Sequence, residues 1–149
     1  MNLNDMNTVP DPAAQAAPAV DTSTLFDQVA FNRLIGLQRE FAENGVARLV
    51  LEPRDELTNN FKVVHGGVLM SILDSVMTSA ALSATGFTKA AVTIDMSTSF
   101  QKPAKGRLTV HGTVQGGGKS VCFCEGRVLN EAGEIVARAM GTFRYVTPS

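Results

Sequence analysis

Residues 65–82 read HGGVLMSILDSVMTSAAL. From Val68 onward the apolar side chains fall at positions 69, 72, 73, 76, 77, 80 and 81, the spacing of one face of an α-helix. Gly66-Gly67 offers a permissive start and Gly86 a stop. A helix of about 20 residues runs ~30 Å, enough to cross a small domain. Near its middle sits Asp74, the only formally charged residue between Lys62 and Lys89 when His65 is neutral. An unpaired carboxylate is costly to desolvate, so Asp74 is either solvated or kept for a purpose.

Strands follow. AAVTIDMSTSFQ, residues 90–101, alternates, with Val92, Ile94, Met96 and Phe100 expected on one face and Thr93, Asp95, Ser97 and Ser99 on the other. RLTVHGTVQ repeats the pattern with Leu108, Val110 and Val114, and Gly116-Gly117-Gly118 makes a turn. KSVCFCEGRVLN and EIVARAMGTFRYV are joined by a hairpin-length loop, NEAG. Upstream, Asn44-Gly45 separates two short runs and is a strong two-residue hairpin signal. One long apolar helix and a sheet with one apolar face bury each other best when the sheet wraps the helix. The expected class is α+β, an antiparallel five- to six-stranded sheet around one central helix.

Further upstream, residues 24–35 carry a helix-like spacing (Leu25, Phe26, Val29, Leu34) behind the capping candidates Ser23 and Thr24. Residues 1–22 contain no Lys or Arg and no continuous apolar core, which argues against a secretory signal or an Arg-rich transit peptide. Their Pro/Ala/Asp composition reads as a disordered or loosely docked tail, followed by a single domain over 23–149. The 149 residues suit one core, and 13 basic against 14 acidic residues point to neither nucleic acid nor a membrane surface as partner. No run reaches membrane-spanning length without polar interruption. Cys122 and Cys124 read as reduced thiols on one face of a strand, in a cytoplasmic protein.

A helical wheel gathers Ser71, Asp74, Ser75 and Thr78 into one stripe opposite Leu69, Ile72, Leu73, Val76 and Ala80. A solvated helix face normally carries Lys, Arg or Glu, and this stripe has none. Small hydroxyls around one carboxylate suit a partly dry surface against a ligand or another protein surface. The helix start presents free N–H groups and positive dipole character, and its two glycines allow close approach, so it can hold a developing oxyanion. Gly66 and Asp74 are about 12 Å apart along an ideal helix. One ester carbonyl does not easily meet both from the same chain. Two such helices packed antiparallel about a two-fold axis, crossing near Met70, bring Gly66 of one beside Asp74 of the other. The spacing therefore predicts a homodimer with two composite sites.

NNFKVVHGGVLMSILDS, the following VTIDMSTSFQKPAKG and the final Gly-rich strand pair resemble the hot-dog-fold acyl-CoA thioesterases. Within the 4-hydroxybenzoyl-CoA thioesterase superfamily the likeness is to the phenylacetic-acid-degradation (PaaI-like) branch, and it covers roughly Phe31 to Val146. The resemblance implies a sheet wrapped around the long helix, side-by-side dimers that often pair again into tetramers, and acyl-CoA as substrate. It also implies roles. Asp74 matches the catalytic carboxylate, as general base or nucleophile, and Gly66 the backbone donor that polarises the thioester carbonyl. Asn59 matches a side chain near the thioester or attacking water, with Asn60 as competitor. Thr78 and Thr93 match hydroxyls that orient water or the acid.

A thioester is an activated acyl donor, so an ionised acid and a dipole suffice for hydrolysis without a metal or other cofactor. His65 and Gly67 flank Gly66 and are candidate substrate-binding residues, His65 more as structure than as acid or base. Phe61 and Met77 are candidates to line an acyl pocket. Lys102, Lys105 and Arg107 are candidates for the CoA phosphates, with Lys89 and Lys119 as competitors. His111 and Asp95 are expected on solvated strand faces. A non-catalytic acyl-CoA-binding module is the alternative from another class; a hot-dog hydratase is disfavoured because no His follows an acid at the helix start.

Overall fold

The structure, a computed structural model, describes residues 20–148. Two short helices, α1 (Leu25–Gln28) and α2 (Ala30–Ile35), precede the hairpin of β1 (Gln38–Glu43) and β2 (Val46–Leu51). The long helix α3 (Gly66–Ala84) comes next, followed by β3 (Ala90–Phe100), β4 (Leu108–Gly117), β5 (Val121–Leu129) and β6 (Ile135–Val146). The six strands form one antiparallel sheet in the order β1-β2-β4-β5-β6-β3, and α3 packs on its inner face against all six. This is the expected α+β hot-dog arrangement.

Sequence explains why helix and sheet fit. Leu69, Ile72, Leu73, Val76, Met77, Ala80 and Ala81 of α3 are buried, while Ser71, Asp74, Ser75 and Thr78 are half-buried. Opposite them, Gly112 and Gly126 pair across β4 and β5, so the backbones approach closely. A Cβ on Gly112 would lie 2.6 Å from the Val76 carbonyl oxygen. At the sheet edge, Asn44 (φ 50°) and Gly45 (φ 81°) form the expected tight turn, pinned to α3 by Gly45 N–H donating to Ser83 Oγ at 3.0 Å. By length and mean hydropathy α3 could cross a membrane (19 residues, 1.4), but Ser71, Asp74, Ser75 and Thr78 interrupt it as the sequence reading has it, and here it is the core helix.

Three expectations need correction. Residues 24–35 form two helices rather than one, and neither Ser23 nor Thr24 caps with its side chain. The Phe26 carbonyl, which a continuous helix would give to Ala30 N–H, is taken by Val29 N–H and by the Asn32 side-chain amide at 3.2 Å. Second, the face assignment of β3 holds only in part. A bulge between Thr93 and Asp95 shifts the alternation, so Ala91 and Thr93 face inward before it and Met96, Thr98 and Phe100 after it. Val92 and Ile94 are turned outward and half-exposed. Third, of the expected tail, residues 1–19 lie outside the described residues, yet Thr22 is buried and belongs to the packed structure.

Candidate functional site

Asp74 projects from the middle of α3 toward β3, where Thr93 Oγ1 donates to its Oδ1 at 2.6 Å. Among the described residues no Lys, Arg or His pairs with it. The bulge that follows Thr93 keeps that hydroxyl on the inner face while the strand turns its next side chains. Beside Asp74 opens a cleft of about 470 Å³ between α3, the start of β3 and the α1–α2 strap, with Thr78 one turn along its wall. The sequence reading missed the strap's part in this. Asn32 is 4% exposed; its Oδ1 accepts from Ser75 Oγ at 3.1 Å, next to Asp74, and its amide fixes the Phe26 carbonyl. The available signal was a polar residue inside an otherwise amphipathic helical run.

The start of α3 is a second locus. His65 is the N-cap, its Nδ1 accepting from Gly67 N–H at 2.9 Å and its carbonyl taking Val68 and Leu69 N–H. The Gly67 amide is thereby committed to its own loop. Gly66 N–H has no acceptor among the described residues, and the Phe100 ring lies against it. Asn59 is held in the preceding loop, where its Oδ1 accepts from Phe61 N–H at 2.9 Å and Val63 N–H at 3.4 Å. Its side-chain NH₂ has no acceptor among the described residues. Phe61 stands on the same loop, 75% exposed.

Within one chain these loci stay apart. Asp74, Thr78 and Thr93 share the large cleft; Gly66 and Lys102 line a separate depression of about 360 Å³ with Phe100; Lys105 lines a third with Lys62. Met77 is fully buried, packed against Gly126 and Gly141, so it is core and lines no cleft. Among the basic candidates, Lys102 pairs with Glu134, holding that carboxyl below its usual range, with Asn130 adding a hydrogen bond. Arg107 pairs with Glu52 at 2.9 Å and Glu40 at 3.6 Å, and Lys89 donates to the Lys119 carbonyl. Lys105 alone of the three turn cations has no carboxylate partner among the described residues.

Two other groups lie away from these loci. His111 is half-buried on the outer sheet face rather than simply exposed, in register between Arg48 and Arg127. Burial first, then the two guanidiniums, pull its pKa below the ordinary value, against the pull of Glu40. Cys122 and Cys124 are free, buried and inward, their Sγ atoms 3.9 Å apart, and burial pushes the Cys124 thiol well above its ordinary range. A thiol so raised is a poor nucleophile at neutral pH.

The sequence model of the thioesterase superfamily matches residues 61–137, just over half of the chain. A Saccharolobus solfataricus protein provisionally named an esterase is 29% identical over 124 residues, covering 83% of this chain and 82% of its own. A conserved protein of Pseudomonas aeruginosa has a solved structure similar to this one, with a TM-score of 0.75 and 29% identity over 78% of this chain and 94% of that one. The PaaI protein from the phenylacetic acid degradation operon of E. coli matches with a TM-score of 0.78 over 85% of this chain and 91% of that one; at 21% identity it speaks for the fold.

Proposed function

The chain belongs to the thioesterase superfamily, and on that premise we propose that it hydrolyses an acyl-CoA thioester to the free acid and CoA. The observation that carries this reading is Asp74 itself: a carboxylate without a cation, oriented by a 2.6 Å hydrogen bond from Thr93, at the edge of a cleft large enough for a small ligand. A carboxylate so placed can take a proton from water as it adds to the thioester carbon, or can add there itself. In the first route the C–O bond forms as the proton passes to Asp74, and the C–S bond then breaks to release the thiol. In the second, a mixed anhydride forms with loss of thiolate and is hydrolysed by water. Either route builds negative charge on the carbonyl oxygen, and a free helix-start N–H such as that of Gly66 is suited to receive it.

That N–H is about 12 Å along α3 from Asp74, so we propose a homodimer in which each site takes Asp74 from one protomer and Gly66 from its partner. The unpaired edge of β3 supports this, since a strand of 11 residues with free N–H and C=O groups is a template for a second copy. We assign Asn59, whose NH₂ has no acceptor among the described residues, to the attacking water or thioester, and Thr78, which lines the cleft with Asp74, to orienting the acid or water. Lys105 is the candidate we favour for a CoA phosphate, because Lys102 and Arg107 are already paired. Membership of the PaaI-like branch is supported by the shared fold and by the HGG-to-Asp spacing. The reduced, buried cysteine pair supports a cytoplasmic setting.

The test is release of free acid, rather than thiol, from phenylacetyl-, benzoyl-, butyryl- and octanoyl-CoA by wild type and Asp74→Asn. Loss of about 10³-fold or more in a folded variant supports the reading. Equal hydrolysis by both, or binding without turnover in the wild type, moves the chain to a non-catalytic acyl-CoA-binding role.

A further inference from the structure

β5 carries two thiols side by side. Cys122 and Cys124 stand two residues apart on its inward face, each 2% exposed. Both are free, and their Sγ atoms are 3.9 Å apart. Cys122 also lines a depression of about 460 Å³ at the C-terminal end of α3, together with Thr85, Lys89, Lys119 and Tyr145. Its register partner on β4 is Gly117, which has no side chain to cover it. No Asp or Glu lines that depression.

The spacing decides what the pair can do. Residues two apart on a strand have Cα atoms roughly 6.7 Å apart, at the upper edge of what a disulfide spans. Closing the sulfurs from 3.9 Å to the about 2.05 Å of an S–S bond would buckle β5 between its paired neighbours β4 and β6. An ion between them asks for far less. A thiolate sulfur lies about 2.3 Å from a first-row metal ion, so two sulfurs 3.9 Å apart hold one at an angle of roughly 115°. Opening to a linear arrangement needs ~4.6 Å, a change that side-chain rotation supplies.

We infer that Cys122 and Cys124 form a binding site for one soft monovalent cation, Cu(I), held as a dithiolate. Thiolates select soft ions such as Cu(I). Zn(II) asks for four ligands, and among the described residues no cluster of three or more His, Cys, Asp or Glu exists to supply them. Binding exchanges two thiol protons for one Cu(I), so the neutral pair becomes a monoanion. The ammonium groups of Lys89 and Lys119 at the depression suit that charge; the first lies over the Tyr145 ring, 5.5 Å from its centroid. The thiols are separate from Asp74. Cys122 is in register with Phe143 and Phe143 with Thr93, so a fully buried ring stands between the pair and the hydroxyl that holds the carboxylate. Neither thiol enters the proposed hydrolysis, and the ion site stands or falls apart from it.

Reduced full-length protein is titrated anaerobically with Cu(I) against the chelator bathocuproine disulfonate, following thiolate-to-copper charge-transfer absorption and proton release. Wild type is expected to take one ion per chain and to release two protons as it does so. Cys122→Ala and Cys124→Ala each remove one donor and leave a small apolar side chain; each is expected to weaken binding about 100-fold or more. Cys122→Ser and Cys124→Ser keep the size of the side chain and should behave alike, with melting curves showing which variants are folded. Zn(II) is expected to be held far more weakly than Cu(I) by the wild type. No ion taken from the chelator by wild type, binding that survives substitution of either cysteine in a folded variant, Zn(II) held as tightly as Cu(I), or ready closure of a Cys122–Cys124 disulfide by diamide overturns the inference.

Discussion

Thr93→Val removes the one hydroxyl that holds the carboxylate of Asp74 while keeping the shape and β-branching of the side chain. The 2.6 Å bond from Thr93 Oγ1 has a carboxylate acceptor, a class of hydrogen bond worth ~1.5–3 kcal/mol. Thr93 lines the cleft and is exposed to it, so water replaces part of the lost donor, leaving about 1–2 kcal/mol of positioning. At ~1.4 kcal/mol per factor of ten, kcat should fall about 5- to 30-fold. KM should stay near the wild-type value, because the bond orients the acid and does not hold the substrate. Valine is at home in a strand, so thermal stability should change little. Thr93→Ser keeps the donor and should restore most of the rate. Steady-state acid release from octanoyl- or phenylacetyl-CoA, with melting curves for all three proteins, reads each term. A Thr93→Val enzyme within twofold of wild type, or a Thr93→Ser enzyme equally impaired, would refute the positioning argument.

Gly112→Ala places a methyl 2.6 Å from the Val76 carbonyl oxygen; backbone must move on one side, so destabilisation of about 1–3 kcal/mol is expected in urea melts, and an unchanged midpoint would show that the helix is not held this closely. His111 gives a pH dependence of stability. Its folded pKa is lowered by burial and by Arg127 and Arg48, against Glu40, so the unfolded chain takes up the proton first as pH falls below about 6.5. Stability is therefore lost from there down to the lowered folded value, and constant below it as far as this group is concerned. His111→Asn should lose less melting temperature than wild type between pH 7.5 and pH 5; parallel curves would remove His111 as the cause.

How much was legible in the sequence depended on whether local pattern met tertiary packing. The α3 periodicity and the Asn44-Gly45 turn were readable because their information is local: the buried stripe and two positive-φ positions appear where expected. The β3 faces were misread because a bulge leaves no mark in an alternating sequence; pairing with Phe143 and Gly141 of β6 sets which side of Thr93 and Met96 turns inward. The strap was misread for a related reason. Its apolar spacing suggested one helix, while Asn32 bonding back to Phe26 and out to Ser75 broke the run and docked it over Asp74. Asp74 stood out by its charge and Gly66 by its place before a helix. Met77 was indistinguishable from a pocket residue by type alone, and burial assigns it to the core.

In the proposed homodimer, Asp74 of one protomer and the Gly66 amide of its partner act on one thioester. Gly66→Pro removes that N–H at the first helical position, where proline is tolerated. Homodimers of Gly66→Pro lack the amide at both sites, and homodimers of Asp74→Asn lack the acid at both. A mixed dimer of the two has one site with both groups intact and one with neither. Co-expressing the variants with different tags, isolating the mixed dimer and measuring acyl-CoA hydrolysis should recover about half of wild-type kcat from parents that are nearly inactive. A mixed dimer no more active than its parents would contradict the account, since it would place the acid and the amide of each working site on the same chain.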